Sequence, residues 1–166
     1  MLSGCHTALI APFKADKSLD QGGLEKLVAF QIEEGIDGLL ACGTTGESPT
    51  LSEDEQKLVM RVVCGQAREQ CRAIGGAGSN STAKTLKMAE YAAGVGADSI
   101  LLVDPYYNGP SSLEIRKEYV APVAEAFSDL EVIPYVIPGR TGAQLLPEDL
   151  AILHEQYDNV NAVKEA

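Results

Sequence analysis

Cationic side chains are scarce in this chain. Only 13 Lys and Arg stand against 24 Asp and Glu among 166 residues, a formal net charge of -11. Such a surface repels phosphate backbones and anionic lipid, so binding to nucleic acid or to a membrane surface would need a local basic patch. The densest positive stretch, Lys84 to Lys87, reads only as a solvated helix face. Long apolar runs are missing too: none approaches the roughly 18 residues of a membrane span. The N-terminal MLSGCHTALIAPF has no basic residue ahead of its short apolar segment. These absences predict a cytoplasmic protein with neither nucleic acid nor membrane as partner. The four cysteines, Cys5, Cys42, Cys64 and Cys71, include no C-x-x-C pair, and only His6 and His154 could complete a metal site. A zinc motif is therefore excluded, and free thiols are expected, with Cys64 and Cys71 two helical turns apart and able to share a face.

What is present is the composition of an ordinary globular protein, 45% hydrophobic and 22% charged. A chain of this length buries roughly two thirds of its unfolded surface, which excludes disorder and predicts one domain over residues 1–166. Short apolar runs alternate with longer helical patterns. Strands are expected at Ala8 to Ala11, Gly38 to Cys42, Ala73 to Ala77, Ser99 to Asp104, Val132 to Ile137 and Asn161 to Glu165. Each reads as buried on both faces, as parallel strands covered by helices must be. Helices are expected at Gly22 to Glu34, Glu53 to Gln70, Thr82 to Ala93, Leu113 to Phe127 and Pro147 to Gln156. The second shows Leu58, Val59, Val62 and Val63 along one side and opens on a capping box, Ser52 with Glu55.

An internal repeat supports this order. Gly35-Ile-Asp-Gly-Leu-Leu resembles Gly96-Ala-Asp-Ser-Ile-Leu at an offset of 96 - 35 = 61 residues, the period of two βα units. In each copy a glycine ends a helix and an acidic turn launches a buried strand. The expected fold class is α/β, five βα units followed by a sixth strand. An open doubly wound sheet would want a glycine-rich loop after its first strand, and Ala11-Pro12-Phe13-Lys14 is not one. Unusual polar residues after several different strands favour part of a (β/α)8 TIM barrel, whose sites sit at the strands' C-terminal ends. A full barrel takes about 250 residues, so this partial barrel is expected to be completed or covered by self-association.

Four segments carry candidate chemistry. Gly43-Thr-Thr-Gly-Glu-Ser48 offers hydroxyls and consecutive N–H groups that can hold a small carboxylate, or is a plain turn. Asp104-Pro-Tyr-Tyr-Asn108 places two tyrosines at a strand end, where packing or an interface is the ordinary use. Tyr135 can relay protons, and Arg140, in Pro138-Gly-Arg-Thr-Gly142, can grip a carboxylate or serve as an ion-pair partner. Lys164 follows Ala162-Val163 at the mouth of the sixth strand. Partial burial there would supply a neutral amine able to attack a carbonyl, whereas fraying would leave an ordinary terminal lysine.

Taken together, GTTGES at 43–48, GAGSN at 76–80, PYYN at 105–108, Tyr135 with PGRTG at 138–142, and VKEA at 163–166 resemble one family in order and spacing. The chain is similar to the dihydrodipicolinate synthases of the pyruvate-dependent class I aldolase family, which includes N-acetylneuraminate lyase. The resemblance runs the length of the chain, while a typical member continues beyond it. It implies that Lys164 forms the imine with pyruvate and that Tyr135 is the general acid/base. It also implies that Thr44 links Tyr135 to Tyr107, a tyrosine lent by a neighbouring subunit, and that Thr45 binds the pyruvate carboxylate. Arg140 would bind the carboxylate of aspartate semialdehyde, and this arginine distinguishes the synthases from the sialic-acid lyases.

The implied reaction condenses pyruvate with aspartate semialdehyde to 4-hydroxy-tetrahydrodipicolinate, in lysine and diaminopimelate biosynthesis. It needs no metal and no diffusible cofactor, because the imine itself is the electron sink. A homo-oligomer, dimer or tetramer, is expected. Two departures stand out: Val136 follows Tyr135 where the synthases usually carry Asn, and, the larger, the seventh and eighth strands of a typical member are missing. The competing readings are an inactive barrel remnant that folds by oligomerisation, a related aldolase acting on a sugar acid, and a small-carboxylate binding module in which Lys164 is idle.

Overall fold

A computed structural model describes residues 3–166. They form two compact units, one holding residues up to 76 together with 91–98, the other 77–90 together with 99–166. In the first unit, β1 (His6–Ala8), β2 (Gly38–Ala41) and β3 (Arg72–Gly76) are parallel neighbours in that order. Helix α1 (Gln21–Glu33) connects the first two strands and α2 (Glu53–Ala67) the second pair. Both helices start on side-chain caps. Asp20 accepts from Gly23 N–H, and Ser52 and Glu55 form the expected capping box. Leu24, Val28, Leu39, Met60 and Val63 are fully enclosed.

The Gly-x-Asp repeat has a structural meaning that its sequence only hinted at. Gly35 and Gly96 hold φ of +80° and +95°, the left-handed stop that favours glycine. Two residues on, each aspartate clasps another strand with its own backbone and side chain. Asp37 N–H donates to Cys5 O while Asp37 Oδ2 accepts from Cys5 N–H at 2.7 Å. Asp98 does the same with Ala73, its Oδ2 accepting at 2.8 Å.

In the second unit, β4 (Ser99–Val103), β5 (Glu131–Val136) and β6 (Lys164–Glu165) are again parallel neighbours in order. Helix α3 (Thr82–Gly94) opens in this unit. A longer helical stretch follows β4 as α4 (Ser112–Glu114), a wider π turn over Ile115–Val120, and α5 (Ala121–Ala126). After β5 come the single turn α6 (Pro138–Thr141) and α7 (Pro147–Gln156). Ile100, Leu102, Ile115, Val120, Val123, Val132 and Leu153 are enclosed. No helix among the described residues is long and apolar enough to cross a membrane.

Several expected boundaries move. β1 is His6–Ala8 rather than Ala8 to Ala11, because the chain turns away where Asp20 N–H takes Pro12 O and Phe13 bridges Leu19. β6 is confined to Lys164–Glu165, with Asn161 bonded locally to Asp158 O instead of entering the ladder. The expected continuous helix to Phe127 is widened into a π turn. Pro122 has no N–H for Glu118 O, which accepts the Thr82 hydroxyl instead. α2 stops at Ala67, short of Gln70, and Glu69 is left-handed at φ +64°. Cys71 therefore lies outside the helix and shares no helical face with Cys64. Along α2, Met60 is enclosed while Leu58 is only half-buried.

Two glycines give opposite expectations. A Cβ on Gly78 would fall on Val103 N and lie 3.0 Å from Leu102 Cα and the Tyr119 hydroxyl, atoms that cannot yield. A Cβ on Gly65 in α2 would meet nothing among the described residues within 4 Å. Gly78→Ala should destabilise by roughly 1–3 kcal/mol and Gly65→Ala stabilise by about 0.5–1 kcal/mol in denaturant titration.

Candidate active site

Adjacent residues of paired parallel strands project to the same side of the sheet, so register decides which side chains meet. In the second unit Tyr135 of β5 is in register with Lys164 of β6, and with Val103 of β4 on its other side. The Lys164 amine lies 4.2 Å from the centroid of the Tyr135 ring. Tyr135 is 4% exposed and Lys164 half-buried. An amine held on the face of a phenol, at the edge of an apolar strand, is positioned by ring electrostatics and packing rather than by solvent. The structure thus brings together the expected nucleophile and the expected proton relay.

Arg140 sits five residues past Tyr135 and is exposed in the α6 turn. The turn is held locally. Thr141 Oγ1 donates to Ala143 O at 2.8 Å, lies 3.1 Å from Ile137 O, and Gly142 closes the helix at φ +68°. Tyr107 is not part of the Tyr135–Lys164 cluster: it is 93% exposed, on a backbone at φ +76° that a tyrosine seldom adopts. The conformation turns its ring outward from the loop after β4.

Thr44 and Thr45 lie in the first unit, in the loop between β2 and the 3-10 turn Ser48–Thr50, Thr44 half-buried and Thr45 exposed. The loop is a pair of overlapping turns. Gly46 N–H donates to Gly43 O and Glu47 N–H to Thr44 O, at 3.1 and 3.0 Å, and Ser48 N–H reaches Gly43 O at 3.4 Å. The expectation of consecutive N–H groups open to a carboxylate is corrected for these three, which the loop itself consumes.

Two functional-looking residues escaped the sequence reading. Tyr119, enclosed at 2% exposure, accepts from Ser79 N–H at 3.1 Å and donates to Val103 O at 2.9 Å, tying the 76–80 motif to the end of β4. Burial pushes its phenol pKa well up. Asp104, immediately after β4, has no exposed surface. Its N–H donates to Tyr135 O at 3.0 Å, Oδ2 accepts from Leu145 N–H at 2.9 Å, and Oδ1 has no hydrogen-bond partner among the described residues. Burial pushes its carboxyl up to about 6 against the opposing pull of the Leu145 N–H. The available signal was an acidic residue closing the apolar run Ser99-Ile-Leu-Leu-Val.

The cysteines are unremarkable. Burial pushes the Cys42 and Cys64 thiols up to about 12, away from thiolate chemistry. Among the described residues no three His, Cys, Asp or Glu side chains are grouped to hold a metal ion.

The sequence profile of the dihydrodipicolinate synthetase family matches residues 1–166. A 4-hydroxy-tetrahydrodipicolinate synthase from Chloroherpeton thalassium is 46% identical over 165 residues, which is 99% of this chain and 54% of that protein. The chain thus spans about half the length of the curated relatives it matches. Among solved structures, a dihydrodipicolinate synthase from Acinetobacter baumannii complexed with pyruvate superposes with a TM-score of 0.94 at 37% identity, covering 100% of this chain and 56% of that one. A monomeric dihydrodipicolinate synthase variant matches at TM-score 0.90 and 40% identity, covering 98% and 53%. With this likeness the fold class is that expected: α/β, a partial (β/α)8 barrel.

The raised Asp104 pKa gives a signed prediction. An unfolded aspartate ionises near 3.8 and the folded one near 6, so the folded state binds more protons between these values. Its contribution to stability is therefore lost as pH rises through that window, by up to about 3 kcal/mol. Asp104→Asn does not titrate and keeps an acceptor for Leu145. The stability difference should move in favour of the variant between pH 4 and 7 in paired chemical denaturation, and a pH-independent difference would refute the assignment.

Proposed function

This chain belongs to the dihydrodipicolinate synthetase family, and on that premise we propose that it carries the imine-forming site of a cytoplasmic synthase condensing pyruvate with aspartate semialdehyde. The observation that supports this most is the Lys164 amine on the face of the enclosed Tyr135 ring. In this reading Lys164 Nζ adds to the pyruvate keto carbon, and water leaves as the imine forms. The protonated imine draws electrons from the methyl carbon, which loses a proton and attacks the aldehyde carbon. Tyr135 moves the protons for these steps, and its burial keeps bulk water from competing for them.

No metal or diffusible cofactor enters this scheme, since the imine stabilises the carbanion. The family resemblance gives Thr45 the role of taking the pyruvate carboxylate and Thr44 that of linking Tyr135 to a tyrosine at position 107. The outward, left-handed Tyr107 suits a side chain offered to a second copy of the chain, which supports a homo-oligomeric enzyme. Arg140, exposed beside the β5 end, takes the carboxylate of the aldehyde by a bidentate bond.

Incubation with pyruvate and borohydride should add one reduced pyruvate per chain by intact mass, and Lys164→Ala should abolish the adduct. Tyr135→Phe should slow adduct formation by roughly 10²–10⁴-fold. Unmodified, folded wild type would leave the likeness as one of fold alone. Arg140→Ala should keep the adduct while raising KM for aspartate semialdehyde about tenfold or more in a coupled condensation assay.

A further inference from the structure

Between β5 and α7 the chain runs from Ile137 to Leu146 with only the one-turn α6, so its course depends on side chains reaching in from elsewhere. Two consecutive amides are caught. Leu145 N–H donates to Asp104 Oδ2 at 2.9 Å, and Leu146 N–H to Ser112 Oγ at 2.8 Å. Ser112 in turn donates to Asp149, whose other oxygen lies 3.1 Å from Arg116 Nε. The Ser112 branch is an ordinary half-buried surface network. Asp104 differs: it is entirely enclosed, one of its oxygens has no partner among the described residues, and its own N–H is bonded to the carbonyl of Tyr135. An enclosed carboxylate with an orphaned oxygen is costly, and an apolar side chain would pack there more favourably. What an apolar side chain could not do is receive Leu145 N–H.

We propose that Asp104 is a positioning residue: by joining the Tyr135 carbonyl through its backbone and Leu145 through its side chain, it fixes the Arg140 turn relative to the Tyr135–Lys164 pair. The inference rests on the reading of Arg140 as the grip for the second substrate's carboxylate. A bidentate guanidinium–carboxylate contact tolerates little misplacement, so loosening the 137–146 segment should penalise the second substrate while sparing pyruvate, which Lys164 captures covalently.

The test compares Asp104→Leu, which removes the acceptor while keeping the branched outline of the side chain, with Asp104→Asn, the isostere, which retains one. Asp104→Leu should raise KM for aspartate semialdehyde at least fivefold with the rate of pyruvate trapping by borohydride within twofold of wild type. Asp104→Asn should restore KM to within twofold. Amide exchange read by mass spectrometry should quicken in Asp104→Leu over 138–146 and not in the β5 core. In the unaltered protein, which needs no variant to fold, the Leu145 amide resonance should shift as the Asp104 carboxyl titrates. Unchanged KM in Asp104→Leu, equal loss of pyruvate trapping and aldehyde KM, or a Leu145 amide indifferent to that titration would each overturn the proposal. Wild type that traps no pyruvate would instead sink the functional reading, and the exchange pattern over 138–146 would then decide the anchoring by itself.

Discussion

The proposed chemistry rests on one register. Lys164 meets Tyr135 only because β6 pairs with β5 residue for residue, Tyr135 with Lys164 and Val136 with Glu165. A slip of one position would carry the lysine to the opposite face, since side chains alternate along a strand. A two-residue strand cannot enforce this alone. Before it, Asn159 Nδ2 bonds three carbonyls, Ala124, Phe127 and Leu130, and Asn159 O takes Val132 N–H. After it, Ala166 N–H reaches Val136 O. The approach to β6 is thus pinned to β5 at both ends, and the amine inherits its place from backbone geometry.

The first unit solves the same problem with carboxylates. Asp37 and Asp98 each exchange two hydrogen bonds with one residue at the start of another strand, Cys5 just before β1 and Ala73 in β3, and each follows a left-handed glycine that ends the preceding helix. A neutral side chain of similar size would make a weaker version of this contact, because a bond from an amide to an ionised acceptor is the stronger one. Strand pairing therefore begins at the strands' N-terminal ends, and the loops at their other ends are free of that duty. The overlapping turns of residues 43–48 and the turn carrying Arg140 both belong to such ends.

Much of this was legible in the sequence because each buried parallel strand is a short apolar run, and because caps, prolines and glycines punctuate the helices between them. α7 begins at Pro147 and ends at Gln156 as expected, and the capping box at Ser52 is formed. Lys164 and Tyr135 could be paired in advance only through the family resemblance, since no periodicity links positions 29 residues apart on separate strands. What stayed hidden depended on partners distant in sequence. The π turn arises because a proline coincides with a hydroxyl donor from Thr82, and the role of Asp104 exists only through Leu145, 41 residues away. The 43–48 loop stayed open between two readings for the opposite reason: the amides of Gly46, Glu47 and Ser48 are satisfied by neighbours so close that composition could not tell an open cradle from a closed turn.

The same alternation that places Lys164 also bears on Val136, where the resemblance leads one to expect asparagine. Position 136 is enclosed at 5% exposure and follows Tyr135 directly in β5, so its side chain leaves by the face opposite to the Tyr135 ring. An amide there would need partners in a buried apolar layer, and the valine removes that demand. The substitution therefore alters the packing behind the strand and leaves the face that holds Tyr135 and Lys164 as it is. Chemistry assigned to the front of β5 does not depend on the missing amide, whereas anything an asparagine would steady behind the strand falls here to apolar packing.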